Sequence, residues 1–245
     1  MNEEIYLSVV IPVYNEGDKI EKTLDTIIKY LDGKKYTYEI IVVDDGSLDK
    51  TPGIIEEISK GNSKIKLLKN ELNQGKGYSL KRGILATRGK YVLFTDCDLS
   101  TPFEEIDKIL AFLEKDYDIA IGSRKLKDSF IEVHQPWWRE FMGSVFYFFA
   151  HLLIIKEVSD FNCGFKGYRG NVAHHLYGKG RLKRWGFDVE IIFLTKKFKY
   201  KMKEVPVRWI NAKTTKVNLL LDSIRSFTEL IQIRLNEIIG LYKSE

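Results

Sequence analysis

Two aspartates, Asp96 and Asp98, flank a single cysteine directly after a β-branched and aromatic run that ends at Thr95. If the chain is extended there, both side chains point to the same side, and two carboxylates converge beyond the end of a strand. Paired oxygen donors suit Mg²⁺ or Mn²⁺, and such a cation is normally shared with the phosphates of a substrate. An isolated Asp-x-Asp is also typical of a solvated turn before a helix, and residues 101–104 have the composition of a helix start.

The surrounding elements favour the binding interpretation, because other polar clusters occur at equivalent places. Short apolar runs alternate with helical patterns in the order βαβαβαβαβ. This order predicts an α/β fold with a doubly wound, mostly parallel sheet and helices on both faces. In such sheets, ligands bind beyond the carboxyl ends of the strands. The clusters that follow the strands are Asn15-Glu16, Asp44-Asp45, Asn73-Gln74-Gly75-Lys76-Gly77, Asp96 with Asp98, and Ser123-Arg124.

Composition limits the classes of protein and partner. The chain has 245 residues, 44% hydrophobic and 30% charged, so it can bury one substantial core. A formal net charge of +5 predicts no nucleic-acid partner and is compatible with phosphates or an anionic membrane surface. The two cysteines lack metal-ligand spacing, and no disulfide framework is expected, which favours a reducing compartment. The acidic N-terminus runs straight into a strand, so no signal peptide is predicted.

Two familiar phosphate-binding motifs are excluded. The loop Gly75-Lys76-Gly77 lacks the third glycine of a dinucleotide fingerprint, because Leu80 stands at that position. No Gly-x-x-x-x-Gly-Lys-Ser/Thr sequence occurs either. A Rossmann dehydrogenase and a P-loop NTPase are therefore disfavoured.

With their flanking residues, the polar clusters resemble a known family. Residues 10–16, 42–47, 73–77 and 96–98 are similar, in order and spacing, to the nucleotide-sugar domain of inverting GT-A glycosyltransferases. The rest of the chain resembles the dolichyl-phosphate β-glucosyltransferases in particular, which extends the similarity over most of the sequence. The segments that carry this second resemblance are residues 98–102, 122–124, 162–168, 184–190 and 204–209.

The resemblance implies the donor side of a site. The acid pair, Asp96 and Asp98, would hold Mg²⁺ or Mn²⁺ across the donor diphosphate, and Asp44 would hydrogen-bond the base. Ser100 stands where the related mannosyl-phosphate synthases usually carry glutamine, which favours a glucosyl donor. The implied nucleotide-sugar contacts are Pro12, Tyr14, Asn15, Glu16, Asp44, Asp45, Gly75, Lys76, Asp96 and Asp98.

The resemblance also implies the acceptor side. Arg124 and Arg139 match positions that hold phosphate groups in the mannosyl-phosphate synthases. Asp188 and Glu190 would lie near the sugar, and with Asp98 and the two arginines they form the implied catalytic set. A lipid phosphate is already an anionic nucleophile, so it needs cations to hold it rather than a strong base to deprotonate it.

The implied activity is metal-dependent, inverting transfer of glucose from UDP-glucose to a polyprenyl or dolichyl phosphate. One alternative is a GDP-mannose-dependent mannosyltransferase of the same fold. A second is a polysaccharide enzyme with a saccharide acceptor, for which Asp188 or Glu190 would serve as the base. A third is a nucleotide-sugar or lipid-binding module without catalysis.

An apolar segment predicts contact with a membrane surface. As a helix, residues 141–155 would rise about 22 Å, short of the roughly 30 Å that a membrane span requires. Trp137, Trp138 and Arg139 precede this segment and are typical of interface anchors. Packing of the same helix in the protein core is the alternative.

Two units are predicted along the chain. Residues 1–210 would form the GT-A domain, including an acceptor-side apolar helix within 134–156, and residues 211–245 would form an amphipathic, interfacial helical segment. This second segment could lie on a membrane, pack on the sheet or pair with another subunit. No N-terminal membrane helix like that of the eukaryotic glucosyl enzymes is predicted. The expected location is cytoplasmic and peripheral, at the cytosolic face of a membrane.

Overall fold

The computed structural model describes residues 4–133, 137–155, 157–211 and 219–243, with the side chains of 137–141 and 219–224 outside the described part. The strands are β1 (Leu7–Val13), β2 (Tyr38–Asp44), β3 (Ile65–Lys69), β4 (Tyr91–Thr95), β5 (Ile119–Ser123), β6 (Phe130–Val133), β7 (Phe165–Arg169), β8 (Met202–Pro206) and β9 (Arg208–Ile210). The helices are α1 (Ile20–Asp32), α2 (Thr51–Gly61), α3 (Lys76–Leu85), α4 (Ile106–Leu113), α5 (Trp137–Leu153), α6 (Gly170–Lys179), α7 (Phe187–Lys197) and α8 (Leu219–Ile238).

The predicted α/β sheet is confirmed, with two further strands, β7 and β8, that the pattern did not predict. Seven strands form a sheet in the order β3-β2-β1-β4-β7-β5-β8. Strand β1 pairs in parallel with β2 and β4, β2 with β3, and β5 with β8. Strand β7 lies between β4 and β5 and is antiparallel to both. It enters the middle of the sheet from a distant part of the chain, which alternation of neighbouring elements does not reveal.

The sheet separates two apolar cores, as helices on both faces require. In β2 every residue is buried, and its side chains alternate between the cores. Ile41 and Val43 belong to one core, while Ile40 and Val42 belong to the other. This alternation follows from the two-residue period of a strand and explains why a strand covered on both faces is a continuous apolar run.

The predicted apolar helix within 134–156 and the predicted amphipathic helix within 211–245 pack against each other as α5 and α8. The ring of Phe227 in α8 contacts Phe146 and Phe149 in α5, with ring centroids 6.1 and 5.1 Å apart. Leu230 and Ile233 of α8 are fully buried in the same core as the sheet. Of the predicted segments 134–156 and 211–245, residues 134–136, 156, 212–218 and 244–245 lie outside the described part.

One face of the α5 and α8 pair is exposed and apolar. The helices of the described residues include none with the length and hydropathy needed to cross a membrane. The exposed large apolar side chains on these two helices and the turn after them are Phe148, Phe149, Leu152, Ile231, Leu235, Ile238, Ile239 and Leu241.

Candidate active site

A cavity of about 710 Å³ opens where the polar clusters were expected, beyond the carboxyl ends of β1, β2 and β4. A volume of this size is typical of a pocket for a small molecule or cofactor. The apolar helices α5 and α8 contribute Met142, Gly143, Phe146, Ser226 and Phe227 to its wall. The predicted site residues that line it are Pro12, Tyr14, Glu16, Asp45, Gly75, Lys76, Asp96, Asp98, Arg124 and Asp188.

Hydrogen bonds join the loops that follow β1, β2 and β3 at one side of this cavity. The carboxylate of Asp45 accepts hydrogen bonds from the backbone N–H groups of Gln74, at 3.0 Å, and Gly75, at 2.8 Å. Asn15 does the same for the loop after β2: its side-chain oxygen accepts the N–H of Leu48 at 2.8 Å. Asn15 and Asp45 were both predicted as nucleotide-sugar contacts. In the structure both residues hold loops in place. Asp45 also lines the cavity, whereas Asn15 does not.

The acid pair reaches the cavity through a tight turn rather than through an extended strand. Strand β4 ends at Thr95, and Leu99 adopts a left-handed conformation with φ 47°. The two aspartates still line the cavity. Cys97 between them also borders it, but is only 5% exposed and belongs to one of the apolar cores. Asp98 accepts the N–H of Ser100 at 2.9 Å. Burial, and then the charge of Asp96, raise the pKa of Asp98.

A lysine already contacts the acid pair. The ammonium of Lys76 lies 2.6 Å from Asp96 Oδ1, and it faces the rings of Phe94 and Trp185 at 5.1 and 5.4 Å. Burial by itself would lower the pKa of Lys76, but the carboxylates of Asp96 and Asp188 outweigh it, so that the pKa is raised. Lys76 therefore stays charged and supplies a fixed positive charge beside the two acids.

Asp188 faces the cavity from the start of α7 but is paired below with a second lysine. The side chain of Lys166 is 1% exposed, forms an ion pair with Asp188, and donates to the carbonyl of Cys163 at 2.8 Å. Burial raises the pKa of Asp188, while the charges of Lys166 and Lys76 act in the opposite direction. Asp188 is thus a partnered carboxylate, not a solvent-exposed base.

Arg124 is held rigidly at the cavity by a buried acid. Its Nε and Nη2 atoms donate to the two oxygens of Asp160 at 2.6 and 2.7 Å, and its backbone N–H donates at 3.0 Å. Glu204 in turn accepts the N–H of Asp160 at 3.2 Å. Burial works against ionisation of Asp160, but the charge and hydrogen bonds of Arg124 prevail and lower its pKa. Such bidentate pairs fix the plane of a guanidinium group.

Besides Asn15, two predicted site residues, Glu190 and Asp44, do not line the cavity. Glu190 is 1% exposed, and its carboxylate accepts the N–H groups of Arg181 and Leu182 and the hydroxyl of Tyr242, so it holds a loop and the C-terminal turn. Asp44 is buried beneath the turn after β2 and accepts the N–H of Ser47 at 3.3 Å. Arg139 belongs to α5, but its side chain lies outside the described part.

Sequence reasoning missed the buried partners of the functional side chains. Lys166 had a local signal, since it is a charged residue inside the otherwise buried strand β7. Asp160 had none, because its partner Arg124 is 36 positions away. Trp185 and the residues of α8 that line the cavity were likewise not assigned to the site.

The acid pair fits a divalent cation. Within the described ranges, no group of three or more His, Cys, Asp or Glu side chains is positioned to hold a metal. The candidate ligands are the two carboxylates of the acid pair, Asp96 and Asp98, which both line the cavity. Mg²⁺ is commonly bound through one or two carboxylates, with substrate phosphates and water completing the shell. The ammonium of Lys76 on Asp96 shows that the acid pair already attracts positive charge.

Comparison with known proteins agrees with this geometry. The chain is similar to the dolichyl-phosphate β-glucosyltransferase of Dictyostelium discoideum, with 35% identity over 98% of this chain and 77% of that protein. It is 31% identical to the Saccharomyces cerevisiae protein of the same name, over 99% of this chain and 78% of the other. Its fold matches glucosyl-3-phosphoglycerate synthase from Mycobacterium tuberculosis in complex with Mn²⁺ and uridine-diphosphate-glucose, with a TM-score of 0.69, 18% identity, and coverage of 94% and 79%.

Residues 8–176 match glycosyl transferase family 2. This range includes the strands β1, β2, β4 and β5, whose carboxyl ends border the cavity, and the complete acid pair. The relatives extend the similarity to almost the whole chain. The protein is a glycosyltransferase with a GT-A-like α/β fold, and it belongs to glycosyl transferase family 2, alongside the dolichyl-phosphate β-glucosyltransferases.

Proposed function

We propose that this chain transfers glucose from UDP-glucose to a polyprenyl or dolichyl phosphate, with inversion at the anomeric carbon and with the help of Mg²⁺ or Mn²⁺. The observation that carries the proposal is a single cavity that contains both an acid pair and a rigidly held arginine. The names of the curated relatives support the sugar and the acceptor.

On the donor side, the proposed reaction builds up negative charge. An oxygen of the lipid phosphate forms a bond to the anomeric carbon, the bond from that carbon to the diphosphate oxygen breaks, and its electron pair leaves with UDP. A cation held by Asp96 and Asp98 would supply the countercharge for the diphosphate. Lys76 provides a second positive charge in the same cluster, and Pro12, Tyr14 and Glu16 would line the nucleotide.

On the acceptor side, the partners of the carboxylates favour a phosphate over a saccharide hydroxyl. A hydroxyl acceptor needs a base, and the two candidates were Asp188 and Glu190. Asp188 is paired with Lys166, and Glu190 is occupied by backbone N–H groups and does not reach the cavity. A phosphate acceptor needs no such base, and it would be held by Arg124 and, as the resemblance implies, by Arg139.

The apolar wall provides a place for a lipid chain. Met142, Phe146 and Phe227 line the cavity. The same two helices, α5 and α8, carry exposed apolar side chains on the protein surface. We infer that this face lies on the membrane surface from which a polyprenyl phosphate is taken. The enzyme would then work as a peripheral protein at the cytosolic face of a membrane.

The proposal is tested by incubating the purified protein with Mg²⁺ or Mn²⁺, polyprenyl phosphate and labelled UDP-glucose or GDP-mannose in parallel. We expect label in the extracted lipid from UDP-glucose, and its loss with EDTA and in Asp98→Ala. The matched control is Asp128→Ala, which removes an exposed aspartate outside the cavity.

Other results would replace parts of the proposal. Label from GDP-mannose alone would make the protein a mannosyltransferase of the same fold. Absence of lipid label from both donors, together with nucleotide binding, would redirect the search to saccharide acceptors or to a binding module.

A further inference from the structure

Lys76 occupies the oxygen that a metal ion would need. Its ammonium lies 2.6 Å from Asp96 Oδ1. The other oxygen, Oδ2, packs against the backbone of Gly164, where an added Cβ would stand only 1.9 Å from it. Oδ1 is therefore the oxygen of Asp96 that is open toward a ligand. A divalent cation that binds Asp96 must compete with Lys76 for this atom.

The backbone of Lys76 is fixed, so the competition is decided by its side chain. The N–H of Gly75 donates to Asp45 at 2.8 Å. A Cβ at Gly75 would stand 2.5 Å from the carbonyl oxygen of Lys183, and one at Gly77 would stand 2.8 Å from that of Leu182. These contacts prevent the loop from moving aside. The flexible side chain of Lys76 can rotate within the cavity without any movement of the loop.

The charges around Lys76 make it costly for a cation to bind without a diphosphate, because the cation displaces Lys76 from Asp96. Three aspartates, Asp96, Asp98 and Asp188, face two lysines, Lys76 and Lys166, which leaves a net charge of about one negative unit. A divalent cation turns this into an excess of positive charge and removes the partner of Lys76. A diphosphate restores the balance and offers Lys76 new oxygens as hydrogen-bond acceptors.

We propose that Lys76 couples cation binding to nucleotide binding: it covers Asp96 until a diphosphate is present and then moves its contact from Asp96 to the diphosphate. The inference rests on the proposed metal site and goes beyond it. Cation and nucleotide then increase each other's affinity, and by thermodynamic linkage they do so by the same factor. In the reaction, the same ammonium stabilises the departing diphosphate.

The test measures binding rather than turnover. Mn²⁺ affinity is determined by electron paramagnetic resonance of free Mn²⁺, with and without UDP, and UDP affinity by calorimetry, with and without Mn²⁺. In Lys76→Met we expect the Mn²⁺ affinity without nucleotide to rise, the UDP affinity to fall, and the mutual enhancement to shrink roughly fivefold or more, within the usual range of coupling between sites.

Two further variants make the result specific. Lys108→Met is the matched control, since it removes one positive charge from an exposed lysine outside the cavity, and it should leave all three quantities unchanged. Lys76→Arg keeps the charge and should keep Mn²⁺ binding weak in the absence of UDP. If Lys76→Met does not fold, the same comparison is made with Lys76→Gln.

The failures can be told apart. Unchanged or weaker Mn²⁺ binding in Lys76→Met, with wild-type coupling to UDP, would overturn the role of Lys76 and leave the proposed function intact. Wild-type protein that binds neither Mn²⁺ nor UDP through Asp98 would instead contradict the proposed function, and with it the basis of this inference.

Discussion

Several buried carboxylates accept hydrogen bonds from specific partners, and these partners determine whether a carboxylate holds a loop or orients a side chain at the cavity. Asp45 holds a loop through two N–H groups, and Glu190 holds another loop and the C-terminal turn. Asp160 instead presents Arg124 to the cavity. A buried charge without a partner is strongly unfavourable, so each of these acids had to find one. Arg124 and Asp188 line the cavity, while their partners Asp160 and Lys166 are buried behind them.

Removing the charge of Asp160 should weaken both the fold and the acceptor side. For Asp160→Asn we expect a loss of about 3 kcal/mol in the free energy of unfolding at pH 7, at the lower end for a broken buried ion pair, because Arg124 retains contact with the cavity. Urea unfolding measures this loss, and the apparent KM for polyprenyl phosphate should rise because Arg124 is no longer oriented.

The pH dependence of the same pair has a definite sign. The pKa of Asp160 is lower in the folded protein than in the unfolded chain, so its contribution to stability is present above the unfolded pKa of about 3.9 and is lost as the pH falls through the folded value. Asp160→Asn should therefore lose less stability than the wild type on acidification. The exposed pair of Asp116 with Lys201 is the control, and Asp116→Asn should change little.

At the scale of secondary-structure elements, two loops pack against each other beside the cavity. The glycine loop, residues 73–77, leads into α3 and packs on the loop between α6 and α7. At this contact the N–H of Tyr78 donates to the carbonyl of Lys183 at 2.9 Å. The ends of the second loop are held by carboxylates: Glu190 at Leu182, and Glu229 of α8 at Gly186, at 2.7 Å. The glycine loop thus carries Lys76 to the acid pair because neighbouring elements confine it.

Gly75→Ala should disrupt this interlock. Gly75 has φ 105°, and a Cβ there would stand 2.5 Å from the carbonyl oxygen of Lys183, so the loops must separate. We expect a lower melting temperature and a clearly weaker UDP affinity. The matched control is Gly53→Ala in α2, where a Cβ meets nothing within 4 Å; it should gain about 0.5–1 kcal/mol from helix propensity. Equal melting temperatures for the two variants would contradict this account.

At the scale of the whole molecule, the surface of α5 and α8 carries a group of exposed large apolar side chains. The exposed side chains of α5 and α8 form an apolar face beside helices that also line the cavity. Contiguous apolar patches on a protein surface typically mark an interaction site. Because the same helices line the cavity, this surface is where we propose that the enzyme contacts the membrane and takes up its lipid acceptor.

Polar substitution on this face should reduce membrane binding without affecting the donor site. In the triple variant Phe148→Ser, Leu152→Ser and Ile238→Ser, three side chains that are 61%, 61% and 78% exposed lose their apolar groups. We expect co-sedimentation with anionic liposomes to fall about tenfold or more and UDP affinity to stay the same. Leu48→Ser, at a position that is 90% exposed and off this face, is the control. Unchanged liposome binding in the triple variant would argue for a protein partner or a second copy on this face.

Local patterns in the sequence predicted the α/β class, the sheet edge where the polar clusters meet, the acid pair at that edge and the apolar segment 141–155, most of which lies in helix α5. These depend on local information: the period of apolar residues, the loops that end strands, and motifs of a few neighbouring residues. The family resemblance added the expected chemistry. The strands β7 and β8 of the main sheet and the small sheet of β6 and β9 were not predicted, because they join segments that are distant along the chain.

Which carboxylates line the cavity, and which are bound to backbone or side-chain donors away from it, follows from the tertiary structure alone. Asp188 and Glu190 are two positions apart on α7. Asp188 lines the cavity and pairs with the buried Lys166, 22 positions away, whereas Glu190 bonds to Tyr242, 52 positions away. Polar partners of this kind are chosen by packing, which brings together residues that have no local relation. The chemical type of each side chain was readable from the sequence, but its role depended on the neighbour that folding placed beside it.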